Sequence, residues 1–296
     1  MRVVDLFCGC GGMSLGFQNA GFEIVAAYDK WLPAINIYKE NFNHPIYNID
    51  LNDSDAIKHV LSHRPEMIIG GPPCQDFSIA GKREQGERAN LTIRYSQIVS
   101  HIRPRVFVME NVYNIVKMPI LQDAIAILKS AGYGLTQIIL DASYCGVPQT
   151  RKRFFMIGIL GGEDDALLEE LKNRQSKKQL TVRDYLGNKL NTNYYYMHPR
   201  SYNRRAVFSV DEPSATIRGV NRPIPEHYKK HPADVATIDQ GVRSLSTKER
   251  SYIQTFPEYF KWCGTKSEME QAIGNAVPVK LAEYVAKTIL DAIKVK

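Results

Sequence analysis

Short apolar runs alternate with amphipathic stretches over the first 160 residues. Residues 3–7 read as a buried strand that ends in glycines, and 13–20 as the helix after it. Residues 22–28 are strand-like again. Ala34, Ile35, Tyr38 and Phe42 then recur at the spacing of one helical face. Residues 67–69 and 106–109 read as further buried strands, with Leu91, Tyr95, Ile98 and Ile102 at helical spacing between them. Pro119 suits a first helical position ahead of 120–128. Runs at 135–140 and 154–160 complete the series. Alternation of this kind predicts an α/β fold built on a doubly wound sheet.

The pattern changes after Leu160. Residues 161–245 have few periodic apolar stretches and many Asn, Pro, Tyr, Lys and Arg. Order returns at Ser246-Thr-Lys-Glu249, a capping box ahead of Tyr252, Ile253 and Phe256. A last helix is expected to open at Pro278, with Leu281, Val285, Ile289 and Ala292 on one face. The expected division is a main domain of 1–160 plus 266–296 and a smaller, irregular one of 161–265.

At 296 residues, 44% hydrophobic and 23% charged, the chain suits an ordinary globular fold of one large domain or two modest ones. No run of about 18 apolar residues suggests a membrane span. The first residues lack the apolar core of a signal peptide, so a cytoplasmic protein is expected. The five cysteines, at 8, 10, 74, 145 and 263, are odd in number and only two are close, so reduced thiols are expected and a zinc site is not. Net charge is +7, unevenly spread: residues 172–231 hold 13 Lys and Arg against 4 Asp and Glu, leaving the rest at −2. A basic block on a nearly neutral body suits a polyanionic partner, and equally a solvated surface.

Asp5-Leu-Phe-Cys-Gly-Cys-Gly-Gly12 follows a strand and opens a helix. Glycines there let a ligand approach the backbone, and the helix start adds a positive dipole. Asp29, at the end of the next strand, can accept both hydroxyls of a ribose, and Asp50, after the third strand-like run, can meet an adenine amino group. The glycines do not follow Gly-x-Gly-x-x-Gly, which favours a smaller adenosine ligand over a dinucleotide. A plain strand–helix turn fits the same residues.

Gly70-Gly-Pro-Pro-Cys-Gln75 follows the strand at 67–69 and so falls at the carboxyl edge of the sheet, where open α/β folds place their sites. Two prolines stiffen the approach to Cys74, although a lone cysteine is more often buried and inert. Glu110-Asn-Val112 follows the next strand; a carboxyl group beside an apolar strand end has its protonated form favoured, whereas a surface cap needs no such chemistry. In Gly146-Val-Pro-Gln149-Thr-Arg151-Lys-Arg153, positions 149, 151 and 153 point one way on an extended chain, so two guanidiniums on one face can hold a phosphate or line a site. Gly274-Asn-Ala-Val-Pro278 precedes the last helix.

These blocks, in this order, resemble the cytosine-5 DNA methyltransferase family from Asp5 to Val277, with only the basic region outside the match. The resemblance implies a Rossmann-like S-adenosylmethionine-dependent methyltransferase fold whose smaller domain is a target-recognition domain. It implies a DNA (cytosine-5-)-methyltransferase that takes a methyl group from S-adenosylmethionine, leaves S-adenosylhomocysteine and acts on double-stranded DNA. The compact length suits a monomeric modification enzyme paired with a restriction endonuclease of the same specificity. Cys74 is then the nucleophile at cytosine C6, Glu110 the partner of ring N3 with Asn111 supporting it, and Arg151 and Arg153 the site wall. Asp5, Phe7, Cys10, Gly11, Gly12, Asp29, Lys30, Asp50, Leu51, Pro73, Asn275 and Val277 carry over as cofactor residues. C5 and C6 are hidden in a duplex, so the base must be flipped out. Gln75, Ser78, Lys82, Arg83 and Arg88 belong to the stretch expected to close over it. Ala215-Thr-Ile-Arg-Gly219 resembles the family's Thr-containing motif near DNA. Thr216, Arg218, Asn221 and Arg222 are accordingly candidates for DNA contact. Two positions depart from the family. Lys30 stands where an aromatic residue is frequent, with Trp31 after it, and Arg88-Ala89 stands where Arg-Gly is frequent. A tRNA methyltransferase with the same catalytic blocks would carry Cys-Phe-Thr in its recognition region, and 161–250 has no cysteine. A non-catalytic DNA-binding paralogue would have lost Pro-Cys or Glu-Asn-Val, and both are present.

Overall fold

The apolar runs are strands buried on both faces. In β1 (Arg2–Leu6) everything after Arg2 is buried, and all of β4 (Met67–Gly70) is. The computed structural model describes residues 1–73, 85–201 and 203–294. With β2 (Glu23–Asp29), β3 (Ile46–Asn48), β5 (Val106–Val112), β6 (Tyr133–Asp141) and β7 (Lys152–Leu160), they form a seven-stranded sheet of order β3-β2-β1-β4-β5-β7-β6. β1 to β5 run parallel, and β7 runs antiparallel between β5 and β6. Because β1 lies between β2 and β4, the winding direction switches at β1/β4. The crevice at the carboxyl ends there is where such sheets bind ligands.

Alternate residues of each strand feed two cores. Val3, Ile69, Val108 and Ile157 pack with Phe17 of α1 (Gly12–Asn19) and, on the C-terminal helix, with Leu281 and Val285. Val4, Ile68, Phe107 and Met156 pack on the other face, with Ala56 and Val60 of α3 (Ala56–Ser62), Tyr95 and Ile98 of α4 (Gln85–Ile102) and Leu121 and Leu128 of α5 (Pro119–Ser130). α2 (Leu32–Lys39) leads from β2 towards β3. Tyr95 also ties two strands together. Its buried hydroxyl donates towards the carbonyls of Ile68 in β4, at 3.2 Å, and Val108 in β5, at 2.8 Å. Tyr95→Phe is expected to cost about 1 kcal/mol of stability. The check is a lower urea midpoint at unchanged slope.

The expected edges need three corrections. Glu110, Asn111 and Val112 lie within β5 rather than after it, because the antiparallel neighbour pairs them with Phe155, Phe154 and Arg153. The boundary expected at 160/161 falls inside a packed unit. Leu167, and Leu171 of α6 (Leu168–Asn173), join the main core. The boundary at 265/266 fails similarly, since Phe256 and Phe260 pack with Cys10, Tyr38 and Phe42.

Between α6 and the last helices lie α7 (Val182–Leu186) and a small sheet of order β10-β8-β9, built from β8 (Tyr194–Tyr196), β9 (Val207–Ser209) and β10 (Arg243–Ser244). Capping boxes open α8 (Thr247–Ile253) at Ser246 and α9 (Lys266–Asn275) at Thr265. α10 (Val279–Lys294) closes the described chain. Arg250 of α8 and Glu270 of α9 form a buried ion pair at 2.8 Å. Arg250 also donates to the carbonyls of Val220 and Arg218, so this pair fixes the 218–221 segment to the main domain. Among the described residues no helix is long and apolar enough to cross a membrane.

Candidate active site

Strand ends at the switch point surround a cavity of about 480 Å³, within the range of small-ligand sites. Asp5 and Phe7 reach it from β1, Asp29 from β2, and Asp50 and Leu51 from beyond β3. Gly71, Pro72 and Pro73 follow β4, and Glu110 and Asn111 end β5. Arg151, Arg153, Asn275 and Val277 close the far side.

One end is suited to an adenosine-like molecule. Gly9 has φ 55°, a β-carbon there would meet no protein atom within 4 Å, and the residue lines the cavity, so the space above this backbone is open. Gly11 and Gly12 sit beneath the loop. A β-carbon at Gly11 would stand 2.3 Å from the Phe42 ring, and one at Gly12 would stand 2.2 Å from the Val277 carbonyl. The Asp29 carboxylate accepts the backbone N–H groups of Gly9 and Trp31, each at 2.8 Å. These bonds hold both oxygens in place, with lone pairs left for a ligand. Burial pushes its pKa up against those bonds. Asp50 is held below the usual carboxylate range by the Asn52 N–H, with Lys30 adding a 3.2 Å ion pair. Trp31 lines the cavity directly after Lys30, so the one-residue shift still leaves an aromatic ring at this wall. Asp5 is fully buried, and among the described residues its Oδ1 has no hydrogen-bond partner.

The other end brings ionisable side chains together. β4 and β5 are paired neighbours, with Gly70 opposite Met109, so the Pro-Pro arm and Glu110 lie side by side. Asn111 donates to the Pro72 carbonyl at 3.0 Å and accepts from the Val112 N–H at 2.8 Å, which fixes the arm two residues before Cys74. Glu110 pairs with the Arg153 Nε at 2.9 Å, both side chains being largely buried. Its other oxygen would stand 3.0 Å from a β-carbon at Gly71, which is why glycine suits that position. Burial raises the Glu110 pKa, and Arg153 and Arg151 oppose the rise. Cys74, Gln75, Ser78, Lys82 and Arg83 lie outside the described residues, and Arg88 falls where the backbone alone of α4 is described. Cys8 and Cys10 line the same cavity, but burial pushes both thiols up, Cys10 to about 12. Neither is thiolate at neutral pH, and the thiolate is the nucleophile.

Arg151 lines the cavity as expected, but its guanidinium is turned away from Arg153. It is buried, and its guanidinium donates to the carbonyls of Ile217 at 2.8 Å, Gly274 at 2.9 Å and Ala276 at 3.1 Å. Only Arg153 of the two presents its charge to Glu110 as an ion pair, so they do not form one phosphate fork. Gln149 works beside Arg151, donating to Gln254 and accepting from the Ile217 N–H. Together they hold the 217 segment and the 274–276 loop in register.

Of the DNA-contact candidates, Thr216, Arg218, Asn221 and Arg222 lie in the small domain, away from the cavity lining. The Thr216 hydroxyl donates to the Thr150 carbonyl, and Arg218 donates to the His198 carbonyl. Asn221 spends both amide hydrogens inside the protein, on Leu245 and Glu270, which leaves it no donor for a base. Arg222 is exposed. Arg218 is lowered by burial and then by Arg200 and Arg204, and His198 by burial and then by Arg222 and Arg218. Arg200 and Arg204 thus join Arg218 and Arg222 in one positive cluster. The sequence shows these two only as part of the basic block. Gln271 of α9 also lines the cavity, and nothing in the chain's local pattern marks it.

The family model described as C-5 cytosine-specific DNA methylase matches residues 1–291. The chain is 58% identical over 294 residues to Type II methyltransferase M.HindV of Haemophilus influenzae, covering 98% of this chain and 97% of that one. It is 57% identical over 291 residues to Type II methyltransferase M.HgiDI of Herpetosiphon aurantiacus, covering 98% and 94%. Its fold is similar to that of the Entamoeba histolytica methyltransferase EhMeth, with TM-score 0.75, 19% identity and 99% and 98% of the two chains covered. The S. pombe Dnmt2 methyltransferase is similar as well, with TM-score 0.74, 19% identity and 99% of each chain covered.

Proposed function

The chain belongs to the C-5 cytosine-specific DNA methylases, and we propose that it moves a methyl group from S-adenosylmethionine to a flipped-out cytosine through a covalent adduct on Cys74. The single observation that carries this reading is the shared cavity. The Pro-Pro arm that leads to Cys74 and the Glu110–Arg153 pair flank one end, and the glycine loop with Asp29 flanks the other.

Cytosine C5 is a poor nucleophile until a thiolate adds at C6. The new C–S bond pushes electron density towards N3, where a Glu110 carboxyl group, its proton favoured by burial, donates or shares a proton. Arg153 holds that carboxyl group in place, and Asn111 holds the arm. The cofactor supplies an electrophilic methyl group. Loss of the C5 proton with departure of the thiolate then restores the aromatic base. Asp29 accepts the ribose hydroxyls, Asp50 and Trp31 meet the adenine, and the Val277 loop covers the opposite side. Names of the Haemophilus and Herpetosiphon relatives support a role as the modification enzyme of a restriction system. Bisulfite sequencing of a plasmid from cells that express the chain tests the activity. Methylated cytosines confined to one short motif are expected, and a uniformly unmethylated plasmid would overturn the assignment.

Asp29→Ala is expected to weaken S-adenosylhomocysteine binding about 10- to 100-fold, the worth of one charge-assisted hydrogen bond. Turnover at saturating cofactor should change little. Titration calorimetry beside steady-state kinetics separates the two. Arg222→Ala should weaken binding to all duplex sequences and flatten the logarithmic salt dependence by about 0.9, the value for one phosphate contact. Fluorescence anisotropy on cognate and scrambled duplexes reads this. Loss restricted to the cognate site would make Arg222 a base reader instead.

A further inference from the structure

A chain of hydrogen bonds leads away from the cofactor end of the cavity through the interior. Ser14 Oγ lies 2.6 Å from Asp5 Oδ2. The Tyr38 hydroxyl lies 2.7 Å from Ser14 Oγ and 2.6 Å from His44 Nε2. Asp5, Ser14 and Tyr38 are fully buried, whereas His44 is partly exposed. These four residues come from β1, α1, α2 and the segment before β3, so the fold alone assembles them.

The inner end is unfinished. Asp5 lines the cavity, yet its Oδ1 has no partner among the described residues. A buried carboxylate oxygen left so is costly unless it carries a proton or meets a cation. The titratable groups that face Asp5 are Asp29 on β2, Cys8 after β1, Tyr38 on α2 and Tyr95 on α4. All are acids or neutral at pH 7, so none supplies the missing positive charge. Burial, reinforced by Asp29 and opposed by Ser14, pushes the Asp5 pKa up to about 7. A folded pKa raised from 3.8 gives stability that is fully present below about pH 4 and lost as the pH rises through 7.

We propose that binding of the cofactor, which brings the ammonium group of its amino-acid end towards Asp5, expels one proton from Asp5, and that Ser14, Tyr38 and His44 carry it out of the protein. This rests on the reading of the cavity as an S-adenosylmethionine site. The Asp5 proton passes to Ser14 Oγ, the Ser14 proton to the Tyr38 oxygen, and the Tyr38 proton to His44 Nε2, which hands one on to water. One proton moves in sum and no electrons do. Both hydroxyls and the imidazole donate and accept, so the same heavy atoms serve before and after. Burial holds His44 at about 4, so it is a neutral acceptor at pH 7 and releases the proton rather than storing it. Once ligand covers the cavity side, this chain is the outlet that the hydrogen bonds provide.

Calorimetric titration of the full chain with S-adenosylhomocysteine tests the equilibrium part. Its dissociation constant should be about tenfold weaker at pH 6 than at pH 8. Buffers of different ionisation heat should show up to one proton released at pH 6. 5′-Methylthioadenosine, which lacks the amino-acid end, should bind with no such slope. Asp5→Asn should flatten the slope for S-adenosylhomocysteine. Stopped-flow with a pH indicator tests the route, and Tyr38→Phe should keep the equilibrium slope but slow proton release. A pH-independent dissociation constant in the unaltered protein would overturn the proposal and leave the cofactor assignment standing. An unchanged release rate in Tyr38→Phe would overturn the route. Failure to bind S-adenosylhomocysteine at any pH would overturn both the proposal and the cofactor assignment.

Discussion

Cys74→Ala is expected to abolish methyl transfer while leaving duplex binding and cofactor binding near those of the unaltered protein. Without the thiolate no bond forms at C6, C5 keeps its low nucleophilicity, and the methyl donor has no reactive partner. Nothing in binding requires the sulfur, because it acts only after the base has left the stack. The other thiols cannot substitute. Cys8, Cys10, Cys145 and Cys263 are each raised by burial, so none supplies a ready thiolate at neutral pH. Transfer of tritiated methyl groups to DNA, measured beside a gel-shift titration, checks both halves. Transfer near the normal rate would show that the reaction does not pass through this sulfur.

Glu110→Gln should lower turnover by about 10²–10⁴-fold, the usual worth of a positioned acid, and leave S-adenosylhomocysteine affinity nearly unchanged. The substitution keeps size and hydrogen-bonding capacity but removes the transferable proton. It also replaces the carboxyl partner of Arg153 with a neutral amide, so some stability should be lost, and a circular-dichroism melt must accompany the kinetics. Full turnover at saturation with weakened cofactor binding would move Glu110 from the base to the cofactor.

The parallel half of the sheet was legible because its strands are short, mostly apolar segments followed by distinctive turns. Val3 to Leu6 before the glycines and Met67 to Ile69 before Pro72 are examples. Strand ends in such a sheet face one crevice, and so residues as distant as Asp29 and Glu110 could be assigned to one site. The antiparallel insertion of β7 was not legible. Its apolar run looks like the others, and the pairing that draws Glu110 into β5 is long-range. Arg151 shows the same limit. Alternation along an extended chain puts it beside Arg153, but it precedes the strand, and tertiary packing turns its guanidinium onto three carbonyls. In the small domain, strands of two or three residues are too short to show a period. The Thr265–Glu268 capping box was present in the sequence as plainly as the Ser246–Glu249 one. Recognising it would have placed the start of α9, although the packing that brings Gln271 to the cavity is long-range.

The most direct measurement of the central claim uses duplex DNA that carries 5-fluorocytosine at the target position, with S-adenosylmethionine present. Fluorine replaces the C5 proton, so the last elimination cannot occur and the adduct accumulates. Peptide mapping should then find one covalent protein–DNA species, bearing the transferred methyl group and linked through Cys74. Absence of an adduct under conditions where ordinary cytosine is methylated, or a link through any other residue, would contradict the account.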